Sequence, residues 1–172
     1  MDVLMIVLRI THIFSGVFWV GVSFFNIFFL QPTVQSTGSD GQKVMQYLTT
    51  KTRFTVTVYT AATLSLLSGL IMYWKLYGFR PSVLRTSNGL VLTIGAIAGI
   101  IAWIIAIVFI RRIIGRMQAT GKAVQEQGGP PTPEQAAVLQ SSSRQLVQLG
   151  QWGLAFMIIA LTGMSIARYF VI

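Results

Sequence analysis

Four long apolar segments constrain this chain more than any other feature of its sequence. They cover about residues 3–30, 54–76, 88–110 and 150–172. Each is close to or longer than the ~20 residues that an α-helix needs to cross a membrane's ~30 Å hydrocarbon layer. Charged residues make up only 10% of the chain, whereas a soluble domain carries about a quarter. We therefore predict an all-α fold, an integral membrane four-helix bundle that forms a single domain over residues 1–172.

The first segment is predicted to remain in the protein as a span, because it lacks the features of a cleavable signal peptide. Asp2 is acidic where a signal peptide is basic, and the apolar run that follows is too long. Leu30-Gln31-Pro32 stands where a small-x-small cleavage site would be expected.

The distribution of basic residues predicts how the spans are oriented. Eight of the thirteen Lys and Arg residues lie in the loops 31–53 and 111–149. The positive-inside rule places both loops in the cytoplasm, and both termini outside, on the periplasmic or extracellular side of an inner or plasma membrane. The net charge of +9 is then explained by loops that meet anionic lipid, and nucleic acid is not an expected partner. The expected partners are the lipid bilayer and other membrane subunits or a second copy of the chain.

Other classes of site are excluded or disfavoured by residues that the chain lacks. It contains no cysteine, which excludes disulfides, thiolate metal sites and thiol redox chemistry. Its four acidic residues all lie outside the four apolar segments. Because a proton or cation relay through a membrane normally uses buried carboxylates, a pump or antiporter is disfavoured.

Spans 3 and 4 are predicted to extend into a cytoplasmic helical hairpin over about 111–149. The breaker Gly128-Gly-Pro-Pro is followed by a helix start, in which Thr132 caps, Pro133 occupies the first helical position and Gln135 completes a capping box. The predicted seam of the hairpin consists of Ala136, Leu139, Ser143, Leu146 and Leu149.

Small residues predict where the spans approach one another closely. Span 3 contains the pair Gly95 and Gly99. Span 2 carries a stripe of small residues four apart: Thr57, Ala61, Ser65 and Gly69.

A polar stripe runs along span 1 and includes the only histidine of the chain. Its members are spaced three and four apart: Arg9, His12, Gly16, Trp19, Ser23 and Asn26. That spacing places them on one face of a helix, and a polar face of a span is expected to face the interior rather than lipid. Gly16 leaves space beside the imidazole for another helix or a flat ligand.

Two interpretations of His12 follow. In the structural one, the imidazole bonds a carbonyl or a threonine on span 2 and holds two helices together. In the functional one, it supplies a neutral nitrogen to a metal, with haem iron favoured. Arg9 and Arg85 would then pair with the haem propionates from the outer side.

The second axial ligand of such a haem is left open, because the chain has no other histidine. It would be Met157, Met164 or Met72, a residue of another subunit, or nothing. Copper is a weaker candidate, since one histidine and scattered methionines form no compact set of soft ligands.

The pattern His12-x6-Trp19-x-Gly21 resembles the opening of the CopD-like group of small membrane proteins. The ending from Trp152-Gly-Leu-Ala to Met164-Ser-Ile-Ala-Arg-Tyr169 is similar to the last span of that group. The resemblance implies a four-span layout.

A more distant likeness is to HemJ-type protoporphyrinogen oxidases, which also carry a histidine seven residues before a tryptophan in span 1. This likeness implies that His12 is a haem ligand. The chain departs from that family after Trp19, and it has Arg85 where the family uses a lysine near the start of span 3. An arginine stays protonated and cannot act as a base, so this departure disfavours oxidation of protoporphyrinogen.

The favoured hypothesis is a b-type haem protein that transfers electrons, or a non-catalytic subunit of a membrane redox complex. Its cofactor-binding residues would be Arg9, His12, Gly16, Trp19, Arg85, Met157 and Met164, with His12 as the metal ligand. The alternatives are a cofactor-free accessory or scaffold subunit, a HemJ-type protoporphyrinogen oxidase, and a copper-handling CopD-like protein.

Overall fold

The structure, a computed structural model, describes residues 2–170, and helices make up most of this part of the chain. The five helices of this part are α1 (Val3–Ser36), α2 (Gly38–Thr50), α3 (Phe54–Tyr77), α4 (Ser87–Glu126) and α5 (Pro133–Ile166). Short 3₁₀ turns at Pro81–Arg85 and Ala167–Tyr169 precede α4 and follow α5. The all-α prediction is confirmed. Four of the helices, α1, α3, α4 and α5, are long and apolar enough to cross a membrane. The last two residues of the predicted span 150–172 lie outside the described part.

Helix α1 is longer than the predicted span, which ended at Leu30. A proline inside a helix lacks an N–H donor, and its ring clashes with the carbonyl four residues earlier. Here the turn Asn26–Leu30 just before Pro32 is π-helical, and such a wider turn lets the backbone continue past the proline. The apolar part of α1 therefore ends close to the predicted boundary, while the helix itself continues to Ser36.

The predicted capping box at the start of α5 is confirmed. The Thr132 hydroxyl accepts a hydrogen bond from the Gln135 backbone N–H at 3.2 Å, and the Gln135 side chain accepts one from the Thr132 N–H at 2.9 Å. The prediction for the hairpin seam is wrong at two of its five positions: Ala136 is exposed, and Ser142 is buried in place of the exposed Ser143. Only Ser142 keeps a spacing of three, four and three with the seam positions 139, 146 and 149, so that all of them share one helix face.

One cluster of buried side chains joins the four long helices. It consists of Trp19 from α1, Ala62 from α3, Ala102 from α4 and Met157 from α5. Most large apolar side chains point the other way: Phe14, for example, is 74% exposed. The chain therefore presents on its outside the kind of residue that a soluble protein buries.

Hydrogen bonds between side chains connect α3 to α4 at two depths. The indole N–H of Trp103 donates to the Thr63 hydroxyl at 3.2 Å, and the hydroxyls of Tyr73 and Thr93 lie 2.7 Å apart. These pairs satisfy polar groups on helices whose other side chains are mostly apolar.

Helices α4 and α5 approach each other closely where two glycines face each other. A Cβ atom added to Gly163 would lie 3.1 Å from the Gly95 Cα, and one added to Gly95 would lie 3.2 Å from the Ala160 carbonyl oxygen. A Cβ on Gly99 would make an ordinary contact of 3.8 Å with Ala160. The predicted close-packing face of span 3 is thus confirmed most strongly at Gly95.

We expect Gly95→Ala to destabilise the protein and Gly99→Ala not to do so. The methyl group at position 95 meets backbone atoms that cannot rotate away, and overpacking of this kind costs about 1–3 kcal/mol. Both variants add the same group to the same helix, so helix propensity cancels in the comparison. The free energy of unfolding in detergent measures the difference, and equal values for the two variants would contradict the packing described.

Candidate functional site around His12

His12 lies on the face of α1 that packs against α3. Its Nδ1 atom is 2.7 Å from the backbone carbonyl oxygen of Ser65. The predicted structural contact with span 2 is therefore present, and its partner is a carbonyl rather than a threonine. The same carbonyl accepts a hydrogen bond from the hydroxyl of Ser68, at 3.1 Å.

Two glycines, one on each helix, allow this contact. A Cβ atom at Gly69 would lie only 2.8 Å from the Cε1 atom of His12, so the imidazole occupies the space that this glycine leaves open. A Cβ at Gly16 would lie 3.1 Å from the Ser65 hydroxyl oxygen. The small-residue stripe predicted on span 2 thus receives the His12 face of α1.

The hydrogen bond to Ser65 determines which nitrogen of the ring carries the proton. A carbonyl oxygen only accepts, so Nδ1 must donate to it. In the neutral imidazole, Nε2 then keeps its lone pair and is the nitrogen that can bind a metal. Metal-binding histidines commonly donate their other ring N–H to a backbone carbonyl, which orients the ring and makes it more basic.

The other members of the predicted polar stripe differ in burial. Trp19 is buried, while Ser23 and Asn26 are half-buried and Arg9 is exposed. The Ser23 hydroxyl donates to the Trp19 carbonyl of its own helix at 2.9 Å. Among the described residues, the Asn26 side-chain oxygen is buried without a hydrogen-bond partner. The stripe faces the interior except at Arg9, which lies near the end of α1, where a long side chain reaches out.

Met157 and Met164 lie at different depths along α5. Met157 packs in the cluster with Trp19, and Trp19 lies seven residues from His12, or about 10 Å along α1. Farther along, Gly150 of α5 lies near the Ile27 side chain, so α1 and α5 run in opposite directions. His12 lies seven residues before Trp19, and Met164 lies seven residues after Met157. Because the two helices are antiparallel, both residues are displaced in the same direction and by the same distance. Met164 is thus at the depth of His12, and Met157 is not.

The two predicted propionate partners lie toward the end of the molecule that is nearest His12. Arg9 is three residues before the histidine in α1, and Arg85 ends the 3₁₀ turn that precedes α4. Both are exposed. At the same end, Lys75 forms an ion pair of 2.7 Å with Asp2, and this hydrogen bond lowers the pKa of the Asp2 carboxyl.

Comparison with known proteins found no matching family model, no matching curated protein and no matching solved structure. The likeness to the CopD-like group therefore stays a prediction from the two sequence motifs.

Sequence reasoning identified His12, Gly16 and the stripe on span 2, but it missed two features of the site. The first is which acceptor His12 meets: the sequence left a carbonyl or a threonine on span 2 open, and a main-chain acceptor leaves no signal in the side-chain pattern that would identify Ser65. The second is the shared depth of His12 and Met164. The sequence contains part of this information, because His12 and Met164 each lie seven residues from a residue of the cluster. The contact between Trp19 and Met157 must be known before that spacing places them at the same depth.

We expect Gly69→Ala to displace the His12 ring and weaken its bond to Ser65. The loss should lower the free energy of unfolding by about 1–3 kcal/mol, the range for overpacking and for a polar group left without its hydrogen-bond partner. Gly21→Ala is the control, because a Cβ there would meet nothing within 4 Å. Unfolding in detergent and the ¹⁵N chemical shifts of the imidazole report the change. Unaltered imidazole shifts in the position 69 variant would show that the contact is not as described.

Proposed function

We propose that the chain is a multi-pass membrane protein whose four long helices form a membrane-spanning bundle. Two observations support this proposal. Four helices are long and apolar enough to cross a membrane, and their outward faces carry large apolar side chains such as Phe14, Val17 and Ile97. Contacts through small residues, as at Gly95 and Gly163, are the packing mode of helices in lipid.

Single-cysteine variants should report the orientation cleanly, because the natural chain contains no cysteine. We expect Ser82→Cys to react with a membrane-impermeant maleimide in intact cells, and Gly129→Cys to react only after the membrane is opened. Both positions are exposed, in the turn before α4 and in the turn between α4 and α5.

The control for this labelling is Ala155→Cys, at an exposed position within the apolar part of α5. It should react only after denaturation, because a thiol surrounded by hydrocarbon does not form the reactive thiolate. Labelling of positions 82 and 129 alike in intact cells would contradict a spanning arrangement, and the reverse pattern would invert the orientation.

We further propose that the protein binds a b-type haem through Nε2 of His12 and serves in electron transfer, alone or within a membrane redox complex. The observation that carries this proposal is the hydrogen bond from Nδ1 to the Ser65 carbonyl, which leaves the lone pair of Nε2 available to a metal. A bound haem would supply one-electron redox chemistry, and the protein would hold it, orient it and exclude water from it.

Three residues at the depth of His12 or toward the nearer end of the helices have donor chemistry that fits such a group: Met164, Arg9 and Arg85. Met164 lies at the depth of the histidine, and a methionine sulfur is an accepted axial ligand of haem iron. Arg9 and Arg85 lie toward the nearer end of the helices, where guanidinium groups suit carboxylates. Met157 is the poorer ligand candidate, since it packs in the cluster with Trp19.

Visible absorption of the full-length protein, purified in detergent with haem supplied during expression, tests this proposal. We expect a Soret band that disappears in His12→Ala. Met164→Leu should keep the band and lower the midpoint potential, because methionine ligation raises it. Met157→Leu, a change of similar size, should leave the potential unchanged.

A Soret band that survives in His12→Ala would refute ligation by this histidine. A colourless wild-type protein would refute haem binding altogether, and copper analysis of the same sample would then test the copper-handling alternative. Equal shifts of the potential in the two methionine variants would refute the assignment of Met164.

A second candidate function is a cofactor-free accessory subunit of a larger membrane assembly. The observation that favours it is that the bond to Ser65 by itself satisfies one nitrogen of His12 and joins two helices. Of the residues predicted around a cofactor, Trp19 and Met157 fill a packing cluster instead. Under this proposal the protein is colourless and co-purifies with a larger complex, and His12→Ala changes stability only.

A further inference from the structure

An open groove of about 440 Å³ lies between α4 and α5, where the two helices leave their apolar segments. We call it the arginine groove. Six residues characterise it: Phe109, Arg112 and Arg116 from α4, and Gln145, Gln148 and Trp152 from α5. Ile113, which is 7% exposed, also lines it.

The arginine groove carries positive charge and no opposing charge. Arg112 and Arg116 are four residues apart and so share one helix face. Within residues 2–170 neither arginine takes part in an ion pair, and no acidic residue lines the groove. Gln145 and Gln148, three residues apart on the facing helix, add amide groups that can donate hydrogen bonds.

Polarity changes along the arginine groove from one end to the other. Because α4 and α5 are antiparallel, Phe109 and Trp152 share the end near the apolar segments, and Arg116 and Gln145 share the end toward the hairpin. Trp152 is 63% exposed and Phe109 is 48% exposed. Tryptophan at such a boundary is typical of the membrane interface. The groove is thus apolar where a membrane would supply acyl chains and cationic where it would supply headgroups.

We propose that the arginine groove binds an anionic phospholipid, with the phosphate at Arg112 and Arg116 and the start of an acyl chain along Phe109 and Trp152. Guanidinium groups pair with phosphate oxygens through two parallel hydrogen bonds. Basic pockets between membrane helices are a known form of lipid recognition. The proposal rests on the membrane location proposed above, which the cysteine labelling tests separately, and it does not depend on haem.

The test is native mass spectrometry of the full-length protein released from mixed micelles of phosphatidylglycerol and phosphatidylcholine. We expect the wild type to retain phosphatidylglycerol preferentially. The double variant Arg112→Gln/Arg116→Gln should lose about tenfold or more of that preference, since each basic residue near an anionic lipid contributes on the order of 1 kcal/mol. The matched control is Arg111→Gln/Arg144→Gln, which removes the same charge at two exposed positions that do not line the groove.

A preference that falls equally in both double variants would overturn the proposal in favour of general surface charge. A preference that survives in the groove variant would overturn it as well, and so would displacement of the lipid by inorganic phosphate alone, which would indicate a free-anion site. Arg112→Lys/Arg116→Lys retains the charge and so separates binding from misfolding. We expect it to keep part of the preference, because lysine attracts phosphate without the paired hydrogen bonds.

Discussion

At Gly95 and Gly163 the backbones of α4 and α5 meet with no side chain between them, and glycines also allow the close packing of α1 against α3. There, Gly69 leaves room for the His12 ring, and Gly16 faces the Ser65 hydroxyl. Helices in lipid gain little from burying apolar surface, because the acyl chains are as apolar as leucine. In a membrane, close packing at these glycines would therefore stabilise the helix pairs, and the large apolar side chains are left on the outside.

The position of His12 is a consequence of this close packing. Its ring fills the space beside Gly69, and from there Nδ1 reaches a carbonyl of the neighbouring helix. The same hydrogen bond therefore joins α1 to α3 and selects the tautomer in which Nδ1 carries the proton. The structural and the ligand interpretations of His12 are compatible for the same reason, since the bond that holds α1 to α3 is also the bond that leaves Nε2 free.

The sequence predicted those features that depend on length, composition and local signals. The four apolar lengths predicted the long helices, and the residues Thr132, Pro133 and Gln135 predicted where α5 begins. Features that depend on backbone adjustment were not predictable in this way. The π-helical turn before Pro32 depends on a choice between breaking and widening a helix, and residue types alone do not decide it. The burial of Ser142 rather than Ser143 depends on the phase of a helix whose polar residues resemble one another on several faces.

The arginine groove, between α4 and α5, and His12, between α1 and α3, lie toward opposite ends of the molecule. Gly95 is at the depth of Met164, and 17 residues of α4 separate it from Arg112, which corresponds to about 25 Å. The hydrocarbon layer is ~30 Å thick. If the groove holds a phosphate at the cytoplasmic headgroup level, His12 therefore lies in the outer part of the hydrocarbon layer. Arg9, one turn nearer the end of α1, then reaches the outer headgroups. A lipid in the arginine groove would thus help to fix the depth of His12 in the membrane.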